Sequence, residues 1–285
     1  MVNTRKFNYN ETVYRHTLIS DIDRNIPSIK VINKNKYALI IGNEGYANKY
    51  TGLSKNFNVP YTRNDALIFK EYAVKMLGVP EKNITLLLDA GKNEMYESIL
   101  TLSKQVRDLA GKGQLVFYYA GHGLADTIPT RRAPYLMPVD IPPSEIEDAI
   151  SMEFLYTKIW ESKSLKSIVF IDASFNNGGR NMGLRGPSAQ IVNPRTELIS
   201  GNTVVFSATT ENHTANVFHD KKHGLFTYFL LKALKETRGN INLHKLYNSV
   251  KTNVEKKASA LGKHQTPITL NSTAVDEMWQ EWKVQ

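Results

Sequence analysis

The run Tyr37-Ala38-Leu39-Ile40-Ile41-Gly42 has no polar residue on either of its two faces. A strand wetted on one side alternates apolar with polar residues, so a run without alternation belongs to a parallel strand buried on both sides. Apolar runs recur at 84–88, 114–120, 167–171 and 203–207, and helical patterns separate them. From Asn64 or Asp65, both acceptable N-caps, a helix runs to about Leu77 and stops at Gly78 with Pro80 beyond. Met95, Ile99, Leu102, Val106 and Leu109 recur at 4-3-4-3 spacing along one helical face. Further helices are expected over 152–160, 225–234 and 243–254, and a short edge segment over 135–140. Strands alternating with helices make βαβ units. The expected fold is therefore a three-layer α/β/α sandwich with a mostly parallel central sheet, spanning 36–272 as one domain. Residues 1–35 are polar, with Asp21-Ile22-Asp23-Arg24 and Pro27 breaking any pattern, and read as an N-terminal extension or linker. In the tail, 273–285, Val275, Met278, Trp279 and Trp282 fall at i, i+3, i+4 and i+7, which predicts a short docked helix.

With 285 residues, 41% hydrophobic and 22% charged, the chain can bury a substantial core. No apolar run approaches the roughly 18 residues that span a bilayer, so no membrane span is expected. The N-terminus lacks the apolar core of a signal peptide, which favours the cytoplasm; a leader trimmed from a longer precursor stays open. The absence of cysteine excludes disulfides and thiolate metal sites. The net charge of +9 invites nucleic acid as a partner, yet the basic residues are scattered, with only pairs such as Lys221-Lys222 and Lys256-Lys257. A solvated basic surface is expected instead, and no nucleic-acid partner. His213, His219 and His223 lack the acid-rich shell of a zinc site, and neither a Walker loop nor a dinucleotide fingerprint is present. No cofactor is therefore expected.

Two of the buried runs end in residues of reactive type. One leads into Gly121-His122-Gly123, the other into Asp172-Ala173-Ser174-Phe175-Asn176-Asn177-Gly178-Gly179-Arg180. Sites of open α/β sheets form at such carboxyl ends. Taken singly, each residue has a plainer role open to it: His122 capping a tight turn, Asp172 and Ser174 capping the next element, Asp65 an N-cap, Ser207 a strand serine. In joint order with Val59-Pro60-Tyr61-Thr62-Arg63-Asn64-Asp65-Ala66 and His223-Gly224-Leu225-Phe226-Thr227, the chain resembles the caspase and metacaspase-like cysteine peptidases over about 36–270. The resemblance implies a caspase-like sandwich and roles for particular residues. His122 would be general base and acid. The N–H groups of Gly123 and of residue 174 would form an oxyanion hole. Position 174 would be the nucleophile. Asp65 and Asp172 would line a pocket for a P1 Arg or Lys through charge-assisted hydrogen bonds, with Ser207 as its wall. Arg63 leaves open the opposite, acidic P1. Substrates would be peptides or proteins with a basic P1 residue. Arg180, Arg185 and Arg195 would be self-cleavage sites, a basic surface loop being the alternative. Calcium stays open because some relatives need it, although no acidic cluster here argues for it. An upstream sensor or anchor domain stays open as well.

The departure is Ser174, where the family has cysteine. A thiol is partly thiolate near neutral pH and intrinsically nucleophilic, so a lone His suffices for it. A hydroxyl needs its base oriented by a buried acid, and no carboxylate in the sequence is plainly assigned to His122. The chain as written is expected to be inactive, or nearly so, as a peptidase. Three alternatives stand at this point: an active peptidase disarmed by Cys→Ser replacement, a natural pseudopeptidase that binds and regulates, and a Ser-His hydrolase with a hidden acid.

Overall fold

The computed structural model describes residues 20–29, 31–49, 55–126, 133–175, 198–210 and 213–285, with the backbone of 178–179 and 182–183. In chain order the strands are β1 (Lys36–Gly42), β2 (Ile84–Leu88), β3 (Gln114–Ala120), β4 (Gly123–Ala125), β5 (Pro134–Leu136), β6 (Ile150–Ser151), β7 (Lys166–Asp172), β8 (Gly178–Gly179), β9 (Met182–Gly183), β10 (Thr203–Ser207), β11 (Val217–Phe218), β12 (His223–Gly224) and β13 (Ile268–Asn271). The α-helices are α1 (Thr62–Lys75), α2 (Lys92–Arg107), α3 (Met152–Glu161), α4 (Leu225–Thr237) and α5 (Leu243–Ala260). Six strands form the main sheet in the order β13-β10-β7-β3-β1-β2, parallel throughout except for the antiparallel edge strand β13.

Alternation along each strand sends side chains to two separate cores. Ile40, Val116, Phe170 and Phe206 pack with Phe69 of α1, Leu230 of α4 and Val250 of α5. Leu39, Phe117, Val169 and Val205 pack with Ile99 of α2 and Leu155 of α3. Both faces are covered, which is why the runs carry no polar alternation. The layers are those expected, a mostly parallel sheet between helices.

Several local expectations need correction. Helix α1 begins at Thr62, after Tyr61 in the left-handed region (φ 71°), so neither Asn64 nor Asp65 caps it. The 135–140 segment is no edge of the main sheet: its strand part, β5, sits in a small antiparallel sheet between β4 and β6. Strand β13 escaped the periodicity argument because its four residues are all half-buried, without an apolar run. The tail forms two 3-10 turns, Thr273–Val275 and Trp279–Glu281, rather than an α-helix, and Lys283 then bridges to Asn242. Within the N-terminal arm, Ile22 is fully buried, and the Tyr72 hydroxyl donates to its carbonyl at 2.8 Å.

Candidate active site

Strands β3 and β7 are parallel neighbours whose last residues, Ala120 and Asp172, face each other in register. Gly121 N–H donates to the Asp172 carbonyl at 3.4 Å. Two residues further along each strand stand His122 and Ser174, each 2% exposed. The register thus brings both residues to the same end of adjacent strands, where pairing within the main sheet ends and where open α/β sheets form their sites.

His122 is held on every side. Its ring packs between Tyr46 and Phe57, with centroids 4.6 and 4.8 Å away. The Tyr46 hydroxyl accepts its backbone N–H at 2.9 Å, and the Tyr119 hydroxyl donates to its carbonyl at 2.7 Å. Burial raises the Tyr46 phenol above its usual range, so it stays a neutral hydroxyl that both accepts and donates. His122 Nε2 lies 2.7 Å from the Phe57 carbonyl oxygen. A carbonyl only accepts, so Nε2 carries the proton and Nδ1 is the basic nitrogen of the neutral ring. The orienting group is therefore a backbone oxygen from the loop before α1. Sequence reasoning sought a carboxylate there and missed Phe57, since a main-chain carbonyl leaves no mark on residue type.

Gly123 lies tightly under the nucleophile position. A Cβ there would stand 2.8 Å from the Phe175 ring and 2.8 Å from the Ser174 carbonyl oxygen. The space that a glycine frees is filled by the 174–175 backbone and ring.

The two acids meet at one helix end. Gly224 is the N-cap of α4 and has no side chain to satisfy the first-turn amides. Asp65 takes the Gly224 N–H at 3.0 Å, and Asp172 Oδ2 takes both the N–H (3.2 Å) and the hydroxyl (2.6 Å) of Thr227. Asp65 also meets His223 Nδ1 at 2.7 Å, while Asp23 meets His223 Nε2 at 2.8 Å. Burial would strip the proton from that imidazole, but its hydrogen bonds and charge contacts with Asp23 and Asp65 push the pKa up to about 9. His223 is thus an imidazolium at neutral pH, bridging two carboxylates. Asp65 and Asp172 cap α4 from α1 and β7.

The remaining candidates are dispersed. Ser207 follows Val205 onto the opposite face of the sheet, in an apolar crevice with Met152, Tyr156, Ile171 and Phe175, and its hydroxyl donates to the Thr209 carbonyl. It does not share a wall with Asp65 and Asp172, because alternation along β7 and β10 puts them on opposite sides. Arg63 is engaged by Asp89 at 3.1 Å and Glu44 at 3.4 Å. His213 stacks on His264, His219 meets the edge of Tyr61 and His223 lies between Asp23 and Asp65, so each of these three histidines has a different partner. Among the described residues, no group of three or more His, Cys, Asp or Glu could hold a metal. Arg180, Arg185 and Arg195 lie outside the described residues.

A family model described as the caspase domain matches residues 35–278. No curated protein matches the chain. Among solved structures, a protein from Geobacter sulfurreducens superposes with a TM-score of 0.59 at 16% identity, covering 88% of this chain and 98% of its own. Caspase-1 from Spodoptera frugiperda gives 0.57 at 14% identity, covering 87% and 91%. At such identities the structural likeness speaks for the fold alone.

Proposed function

The chain belongs to the caspase domain family of cysteine-type peptidases, and on that premise we propose that it is a peptide-bond hydrolase scaffold with a basic P1 preference, disarmed at its nucleophile by Ser174. In the working form the residue-174 nucleophile attacks the scissile carbonyl while His122 Nδ1 takes its proton. The tetrahedral oxyanion is met by the N–H groups of Gly123 and residue 174. His122 then returns the proton to the leaving amine, and water resolves the acyl-enzyme by the same relay.

One observation supports the disarmed state above others: His122 Nε2 rests on the neutral Phe57 carbonyl. A carbonyl orients the ring but stabilises the imidazolium far less than a carboxylate does, so the base suits a thiol and falls short for a hydroxyl. For the P1 preference, Asp65 and Asp172 supply two carboxylates against the single His223 imidazolium at the α4 N-terminus, which Asp23 already pairs from behind. The excess negative charge favours an arginine or lysine side chain over an acidic one.

Ser174→Cys is the direct test, assayed with Arg- and Lys-P1 fluorogenic peptides. Turnover should rise about 100-fold or more over the parent and be lost again on adding His122→Ala. Robust turnover by the parent that disappears in Ser174→Ala would refute the disarmed state. An inert Ser174→Cys chain, with the parent stabilised thermally by an Arg-ended peptide, would instead establish a binding module. Clipping of the Ser174→Cys chain after Arg180, Arg185 or Arg195 is expected on standing, and a single intact band would count against self-processing.

A further inference from the structure

The described part of the N-terminal arm is seated on the body by many specific contacts. Ser20, Ile22 and Asp23 are buried, and Ile22 joins the core shared by α1 and α4. Lys235 of α4 donates to the carbonyls of Asp21 (2.6 Å) and Arg24 (2.5 Å). The Asp21 carboxylate meets Lys221 at 2.6 Å and the Tyr228 hydroxyl at 3.1 Å. Ser20 N–H donates to one Asp23 oxygen at 3.0 Å, and the other faces His223 Nε2. Docking therefore draws on α1, α4 and the turn before β12 together.

The seat lies directly behind the candidate site. The far side of the His223 ring meets Asp65, the next residue Gly224 is the α4 N-cap, and Thr227 in the same turn grips Asp172. Asp172 stands two residues before Ser174. An imidazolium in a dry site needs an acceptor for both of its N–H groups. Taking Asp23 away leaves one donor unmatched and removes half of the charge that keeps the ring protonated.

We propose that residues 20–27 form a latch and that Asp23 is a positioning residue: docked on His223, it fixes β12 and the start of α4, and through Thr227 the orientation of Asp172, so that arm release loosens the pocket for a basic side chain. The pocket clause rests on the proposed peptidase function; the latch itself does not. What displaces the arm would then act on the site without touching it.

Amide hydrogen exchange on the full chain tests the latch, in the parent, in Asp23→Ala and in Lys235→Met, which frees the arm from the outer surface should the buried change prevent folding. In both variants exchange of 20–29 should speed about 10-fold or more, and the amides of Gly224 and Thr227 should follow, while β1 and α2 keep their protection. A freed arm with unchanged protection at 224–227 overturns the proposal, and so does an arm that stays protected in both variants. With Ser174→Cys added, Asp23→Ala should raise KM for an Arg-ended peptide about 10-fold with kcat within about 2-fold. A fall in kcat at constant KM would overturn the pocket clause. If Ser174→Cys turns over no peptide at all, the proposed function falls, and the exchange result still decides the latch.

Discussion

At Gly123 the backbone of β4 runs so close to the 174–175 segment that even a methyl group meets the Ser174 carbonyl and the Phe175 ring. Gly123→Ala should therefore cost about 1–3 kcal/mol, as overpacking does, and suppress any turnover gained by Ser174→Cys; urea unfolding and peptide assays report the two effects. Tyr46 offers a complementary change. Tyr46→Phe leaves the buried His122 N–H without its hydroxyl acceptor and should cost about 1–3 kcal/mol. Its hydroxyl lies 3.2 Å from that of Tyr119. Combining it with Tyr119→Phe should thus cost less than the two losses added, since both hydroxyls serve one network. At this scale His122, Gly123 and Ser174 were legible as a motif. Phe57 was not, because its contribution is a carbonyl that every residue possesses.

The joining of elements depends most on the start of α4. A helix of this kind usually caps itself with a serine or aspartate, but here Gly224 occupies the N-cap and carboxylates arrive from α1 and β7 instead. The elements themselves followed from periodicity: β2, β3 and β10 have the bounds that their apolar runs suggested. Their mutual capping did not, since Asp65 and His223 stand 158 positions apart. The bridge titrates in a defined window. The His223 folded pKa of about 9 lies above its ordinary 6.5, so the unfolded chain releases this proton first. Its stabilisation is fully present below pH 6.5 and is lost as pH rises through 9, on the order of 3 kcal/mol. Urea midpoints of the parent and His223→Gln between pH 6 and 9.5 should converge as pH rises; a constant gap would contradict the bridge.

On the scale of the whole molecule, buried Lys36 and half-buried Lys166 clamp the chain's last residues to the amino ends of β1 and β7. Lys36 Nζ donates to the carbonyls of Leu77 (2.9 Å) and Val284 (3.2 Å), and Lys166 Nζ to those of Lys283 (2.7 Å) and Gln285 (3.0 Å). Burial, aided by the charge of Lys166, pulls Lys36 down to about 7. The sign here is opposite to that of His223. Between pH 7 and 10.5 the unfolded chain holds the extra proton, so the Lys36 contribution improves as pH rises. The stability of the parent relative to Lys36→Met should therefore grow from pH 7 to 10 in urea titrations, and a difference that shrinks would refute the clamp's assigned ionisation.

What the sequence determined by itself is local and periodic: which runs are buried strands, which are helices, their order, and the two strand ends where reactive residues emerge. Apolar runs and helical periodicity suffice for that, because each signal repeats within a few residues. Only the tertiary structure decided that Ser207 turns to the face away from Asp172, that Phe57 orients His122, and that Asp23 reaches His223 from the arm. Those pairings join residues distant in the chain through single hydrogen bonds, and a single contact between distant positions leaves no periodic trace in the order of amino acids.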